Sequence, residues 1–275
     1  MTHRDEPGPG SATVPRLVLP WHLMDPLPDD LGTSHSGPDG SGNLGPGTDV
    51  IRSHPGTTGE PWTDLIDLYR PLRDAVTRAA ECQRTVVVVS GDCVASLAVL
   101  AGIQHTGVQP ALVWFDAHGD FHTEETTTSG YLGGLPLAKA VGRGDRTLPD
   151  GLGLHPVPES SVALVGARDL DPPEVTALER SAVRRFPIVS LDPAGLPDIP
   201  TVVHVDVDVV DPGWLPGLRF PAPGGPGVGE VVEAVRAVVA ARSVVALDLA
   251  ATWSPDHTDP GAAGRLLQAL AELVL

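Results

Sequence analysis

Residues 85–89 (Thr-Val-Val-Val-Val) form an unbroken β-branched run, the pattern of a strand covered on both faces. Similar runs recur at 111–115, 161–165, 201–207 and 244–249, and 15–20 reads as a short apolar first strand. Between them, the remaining apolar stretches predict helices at 63–83, 94–104, 132–141, 173–180, 228–241 and 261–275. In the first helix Leu65, Leu68, Leu72, Val76 and Ala79 recur at three- and four-residue steps, while Pro71 predicts a late start or a kink. Buried strands alternating with helices imply an α/β fold, a mostly parallel sheet with helices on both faces. No repeat or linker divides the pattern, so one domain is expected over 1–275. Residues 1–13 read as a flexible tail. Residues 25–61, dominated by Gly, Pro, Ser, Asp and Thr, read as a long surface loop. In such sheets ligands bind beyond the carboxyl ends of the strands.

Composition narrows the class. The chain has 275 residues, 41% of them hydrophobic, enough for a sizeable core. Asp and Glu number 35 against 18 Lys and Arg, a net charge of −17 that repels phosphate backbones and argues against a nucleic-acid partner. No apolar run approaches the roughly 20 residues of a membrane span, and the polar N-terminus has no signal-peptide core. The two cysteines, Cys82 and Cys93, are too few for a disulfide framework. They fit a reducing compartment, so a cytoplasmic location is expected.

Polar clusters follow three of the strands. Asp116-Ala117-His118-Gly119-Asp120 comes after 111–115. In extended chain, alternate residues share a face, so Asp116, His118 and Asp120 can converge. Two carboxylates and an imidazole suit a divalent cation, although a plain polar loop would carry the same residues. Asp206 and Asp208 end the apolar run at 201–207, where burying two like charges without compensation costs several kcal/mol each. A cation removes that cost. Ser90-Gly91-Asp92-Cys93 follows 85–89; Gly91 permits a tight strand-to-helix turn, and Cys93 is either an apolar filler or a ligand. Asp92 reads as a helix N-cap or as a support for a metal ligand. Arg168 and Asp169 are expected to pair, and Asp248 to cap its strand or support a ligand.

In this order and spacing the clusters resemble the ureohydrolases, the family of arginase and agmatinase. The segments 126–130, 166–171 and 224–225, and Asp211-Pro212, match as well. The resemblance implies a three-layer α/β/α fold with a central parallel sheet of eight strands, and two Mn²⁺ ions that hydrolyse a guanidino or amidine carbon. It implies that Asp116 and Asp206 bridge the ions, that Cys93 and Asp120 complete one, and that His118 and Asp208 complete the other. Asp116, Asp120 and Asp206 would then hold a nucleophilic hydroxide. Thr127 and Ser129 would bind the carboxylate of an amino-acid-like substrate, and Asp171 and Glu174 its ammonium. A homo-oligomer, trimer or hexamer, is expected by analogy alone.

The chain departs from the family at four positions. Cys93 stands where histidine is usual, as in a subset that includes an N-hydroxyarginine hydrolase; a thiolate is softer than Mn²⁺ prefers, so other divalent ions are admissible. Gly133 replaces a proton-shuttling histidine, for which His122 and His257 are the candidate substitutes. Ala251 replaces a guanidinium-binding glutamate, a loss of roughly 1.5–3 kcal/mol for a cationic substrate. His122 replaces an asparagine that contacts the substrate carboxylate. The expected activity is therefore hydrolysis of a guanidino, N-hydroxyguanidino or related linear C–N bond. Amide hydrolysis or cyclisation on the same scaffold, and a catalytically weak structural or regulatory homologue, are the alternatives.

Overall fold

The structure, a computed structural model, describes residues 14–27, 48–82, 85–251, 253–254 and 261–274. The expected tail at 1–13 and His257 lie outside these residues. Eight strands form one parallel sheet: β1 (Arg16–Leu19), β4 (Thr48–Val50), β5 (Val86–Ser90), β6 (Ala111–Phe115), β7 (Val162–Val165), β8 (Arg184–Phe186), β9 (Thr201–Asp206) and β10 (Val244–Ala250). Their spatial order is β4-β1-β5-β10-β9-β6-β7-β8. Two further strands, β2 (Trp21–His22) and β3 (Asp25–Pro26), pair as a short antiparallel hairpin.

Alternation along the strands divides the core. Val86, Val88, Leu112, Trp114, Leu164 and Val202 pack on one face with α1 (Pro61–Glu81) and α2 (Ser96–His105). Val87, Val89, Val113, Phe115, Val203 and Val205 pack on the other with α6 (Val228–Ala241) and α7 (Gly261–Ala271). Each strand thus needs apolar residues at every position, which is why β5 and β6 read as unbroken runs. The three-layer α/β/α arrangement follows.

Several elements differ from the sequence pattern. Within the expected loop at 25–61, β3 extends the hairpin and β4 forms an edge of the main sheet. Helix α1 runs through Pro71; the residue whose carbonyl the proline leaves without a helical donor, Asp67, is exposed to water. The stretch 132–141 splits into a 3₁₀ turn, Leu132–Gly134, and the short helix α3 (Pro136–Ala140), because Pro136 is set to start a helix and not to continue one. The short helix α4 (Thr147–Leu152) and the edge strand β8 are additions to the pattern, and α5 is Pro172–Glu179.

Candidate active site

Each polar cluster leaves the carboxyl end of a central strand. After β5 the chain must turn sharply. A Cβ on Gly91 would overlap the Trp21 carbonyl, so only glycine fits beneath the β2–β3 hairpin. Asp92 then caps the 3₁₀ turn Cys93–Ala95 by accepting from Val94 N (2.9 Å) and Ala95 N (3.1 Å). Its carboxylate also accepts from Leu23 N (2.8 Å) and Tyr69 Oη (2.8 Å), tying hairpin and α1 to the turn that presents Cys93. After β6, Asp120 adopts a left-handed conformation (φ 48°), a strained backbone for a non-glycine residue that aspartate tolerates better than most.

These turns bring the expected ligands together. Donor atoms of Cys93, Asp116 and Asp120 lie within 4.8 Å of one another, and so do those of Asp116, His118 and Asp208. Asp116 belongs to both groups. Asp206 lies between them, accepting from Cys93 Sγ (2.8 Å) through one oxygen and from Asp208 N (3.0 Å) through the other. All four carboxylates are buried.

The electrostatics are those of an anionic cluster that His118 compensates only in part. Burial, then repulsion from Asp116, pushes Asp208 up to about 6. Burial and neighbouring carboxylates push Asp120 and Asp206 well above the usual range. Burial works against the Asp116 carboxylate, but hydrogen bonds and charge from His118 outweigh it and hold Asp116 at about 2. Burial alone would lower His118; Asp116 and Asp208 override it and raise the imidazole to about 12. Burial, then Asp206, Asp120 and Asp116, push the Cys93 thiol up. The donor set fits divalent metal: oxygen, nitrogen and sulfur atoms converge, and Asp120 Oδ2 is buried without a hydrogen-bond partner.

Behind the cluster sits a buried pair that the sequence did not announce. His204 Nδ1 lies 2.7 Å from Asp248 Oδ2, and the His204 ring stacks on Trp114 with centroids 3.7 Å apart. Trp114 Nε1 donates to Asp116 Oδ2 (3.0 Å), so strand β6 supplies both a ligand and the group that orients it. Asp248 therefore pairs with His204 and does not cap its strand. Arg168 and Asp169, expected to pair, part company. The Arg168 guanidinium donates to the carbonyls of Ala222 (2.7 Å) and Val209 (3.0 Å), closing the loop after β9. Asp169 instead approaches His118 Nε2 at 4.0 Å.

A cavity of about 250 Å³ opens above the cluster. Its walls include His122, Thr127, Ser129, Tyr131, Asp171, Glu174 and Phe220. Thr127 and Ser129 lie with their hydroxyls 3.5 Å apart. Both ring nitrogens of His122 are engaged, Nδ1 with Thr126 Oγ1 (3.1 Å) and Nε2 with Asp171 Oδ2 (3.2 Å). Glu174 is buried and accepts from Phe121 N (3.0 Å) and Asp171 N (3.2 Å), so it fastens the start of α5 to the loop after β6. Ala251, buried behind the strand ends, offers no carboxylate.

Ligand atoms of this kind, at the carboxyl end of a parallel sheet on an α/β/α scaffold, suit a divalent metal centre. Over residues 53–271 the chain matches the model of the Arginase family. It belongs to that family, whose members hydrolyse amidino C–N bonds. It is 31% identical over 194 residues to an N(omega)-hydroxy-L-arginine amidinohydrolase of Streptomyces lavendulae, covering 68% of each chain. An arginase of Eremothecium gossypii is 30% identical over 194 residues, 65% of this chain and 49% of that one. The match thus spans between half and about two thirds of these relatives. Among solved structures, an arginase of Bacillus caldovelox superposes with a TM-score of 0.78 at 21% identity, covering 94% of this chain and 97% of that one. The proclavaminate amidino hydrolase of Streptomyces clavuligerus gives 0.68 at 22% identity, covering 98% and 93%. These structures share the fold. No helix of the described residues is long and apolar enough to cross a membrane.

Proposed function

We propose that the chain hydrolyses the guanidino-type C–N bond of a small amino-acid-like substrate, with N-hydroxyguanidine preferred to guanidinium, using two divalent cations, Mn²⁺ foremost. The observation that carries this reading is the pair of donor groups sharing Asp116 at the floor of the cavity. Asp116 and Asp206 would be common to both cations, Cys93 and Asp120 would complete one, and His118 and Asp208 the other. When bound, such a pair would supply an activated water and neutralise the carboxylates.

The chain's own residues do the rest. Thr127 and Ser129 present hydroxyls to a substrate carboxylate at the cavity rim. Asp171, largely exposed and steadied by His122, receives the ammonium; Glu174 already accepts two backbone N–H groups and acts by holding Asp171 in place. Ala251 leaves a cationic guanidinium without an anionic partner at that position. A less basic N-hydroxyguanidine loses less by that absence, and the Streptomyces lavendulae relative is named for such a substrate. Assays with N-hydroxyarginine and arginine, with Mn²⁺ and after chelation, test the proposal. We expect a higher kcat/KM for N-hydroxyarginine and no turnover after chelation. A Mn²⁺-loaded chain that turns over no guanidino compound overturns it.

Cys93 makes a separate prediction. Its thiol is held protonated in the metal-free chain, so a cation must expel that proton to use the sulfur. Cys93→His supplies a nitrogen donor that binds neutral. Calorimetric titration with Mn²⁺ is expected to show roughly tenfold tighter binding, about 1.4 kcal/mol. An unchanged Kd removes Cys93 from the ligand set.

A further inference from the structure

We propose that Tyr131 delivers the proton to the departing nitrogen and that His22 recharges it, an inference that rests on the hydrolytic reading above. Splitting a C–N bond expels an amine, and an amine leaves poorly unless a proton reaches its nitrogen as the bond breaks. Among the described residues lining the cavity, His118 is fixed between Asp116 and Asp208, and both nitrogens of His122 are occupied. Thr127 and Ser129 stand at the rim, where a substrate carboxylate would take them. Cys93, Asp120, Asp206 and Asp208 would be spent on the cations, and Glu174 faces two backbone N–H groups; Tyr131 is a further wall residue with a transferable proton.

Its position is built in. The ring of Tyr131 lies directly on Gly133, so that a Cβ there would fall 2.6 Å from the phenolic oxygen and closer still to the ring. A side chain at 133 and the phenol therefore compete for one space, and glycine gives it to the phenol. Phe220 packs against the ring at 4.9 Å between centroids. The hydroxyl then reaches His22 Nε2 at 3.1 Å, and His22 Nδ1 reaches the Gly91 carbonyl at 2.7 Å. His22 is 2% exposed, held by the same hairpin that covers Gly91.

The carbonyl fixes the direction of the relay. It can only accept, so His22 Nδ1 carries the hydrogen, and the neutral ring offers a lone pair at Nε2 to the phenol. When the ring is protonated, Nε2–H donates to the phenolic oxygen and turns the phenol's own hydrogen toward the cavity. Transfer is then concerted. The phenolic O–H bond breaks as a bond to the departing nitrogen forms, and the Nε2–H bond breaks as a new phenolic O–H forms. The leaving nitrogen gains one proton and keeps the C–N electron pair, so the amine departs neutral; the carbon product carries the positive charge, sheds it with its hydroxyl proton, and a proton returns through solvent to His22. No phenolate arises. Burial, with the nearby Asp92 and Cys93, disfavours phenolate strongly, which a concerted relay does not oppose.

Tyr131→Phe and His22→Gln in the Mn²⁺-loaded chain test this. Tyr131→Phe is expected to lower kcat by about 10²–10³-fold with KM and bound Mn²⁺ unchanged. The loss should shrink for aryl-guanidines, whose departing anilines need a proton less. His22→Gln should lower kcat in the same leaving-group-dependent way, by a smaller factor. Independently of turnover, ¹⁵N spectra of His22 should show the Nδ1–H tautomer in the wild-type chain. Full activity in Tyr131→Phe, or an equal loss for every leaving group, overturns the relay alone. A wild-type chain inactive on every guanidino compound overturns the hydrolytic reading as well.

Discussion

Asp208→Asn is expected to lower turnover by about 10²–10³-fold while leaving the metal-free chain as stable as the parent or more so. The carboxylate is fully buried, faces Asp116 and Asp206, and is pushed up to about 6 by burial and by Asp116. An acid whose folded value lies above its unfolded value of 3.8 favours folding while protonated. Near pH 7.5 it is ionised and opposes folding by on the order of 3 kcal/mol. Asparagine keeps the shape and removes the charge. With cations bound the sign reverses, because Asp208 becomes a ligand and its loss weakens their binding. Melting curves with chelator and with Mn²⁺ separate the two states. The variant should match or exceed the parent in chelator, and Mn²⁺ should raise its Tm far less. A variant strongly destabilised in chelator would show that Asp208 serves the fold.

The second large effect is a fall in metal-free stability as pH rises from about 5 to 8. Asp120 and Asp206, raised well above 3.8, contribute fully below that value and lose the contribution as pH climbs through their folded values. Asp208 does the same around 6. His118, raised to about 12, contributes fully below 6.5 and progressively less above it. Asp116, held at about 2, contributes above 3.8 and loses its share only in stronger acid, outside the window. The shifts active in this range therefore run in one direction. At about 2–4 °C per kcal/mol, Tm in chelator should drop by several degrees. Cations bind the ionised carboxylates, so Mn²⁺ should widen the gap between loaded and chelated chains as pH rises. A chelated Tm that climbs from pH 5 to 8 would contradict these signs.

The metal cluster was legible because its residues break apolar runs: Asp116 ends β6 and Asp206 ends β9, where nothing but an unusual partner makes a carboxylate affordable. The sheet was legible for the same reason, since strands buried on both faces leave long apolar runs. Edge strands do not. Arg184–Phe186 and Thr48–Val50 are partly exposed and carry polar residues, so they merge with the surrounding loops. Pro149 and Gly151 disguise α4. The His204–Asp248 pair depends on the register of β9 against β10, which periodicity does not fix. Tyr131 and His22 meet across 109 positions of chain, through a hairpin hidden in a Pro- and Gly-rich stretch. Gly133 reads in the sequence as a missing histidine; only the fold shows that its lack of a side chain makes room for Tyr131.

On the proposed reading, these acidic side chains share a buried floor because dications belong among them. Elemental analysis of the intact chain, loaded with Mn²⁺ near neutral pH and freed of excess, tests it directly. About two cations per chain are expected, with a marked loss in Asp116→Asn, whose carboxylate belongs to both donor groups. Less than one cation per chain, or an Asp116→Asn variant that retains the wild-type complement, contradicts it.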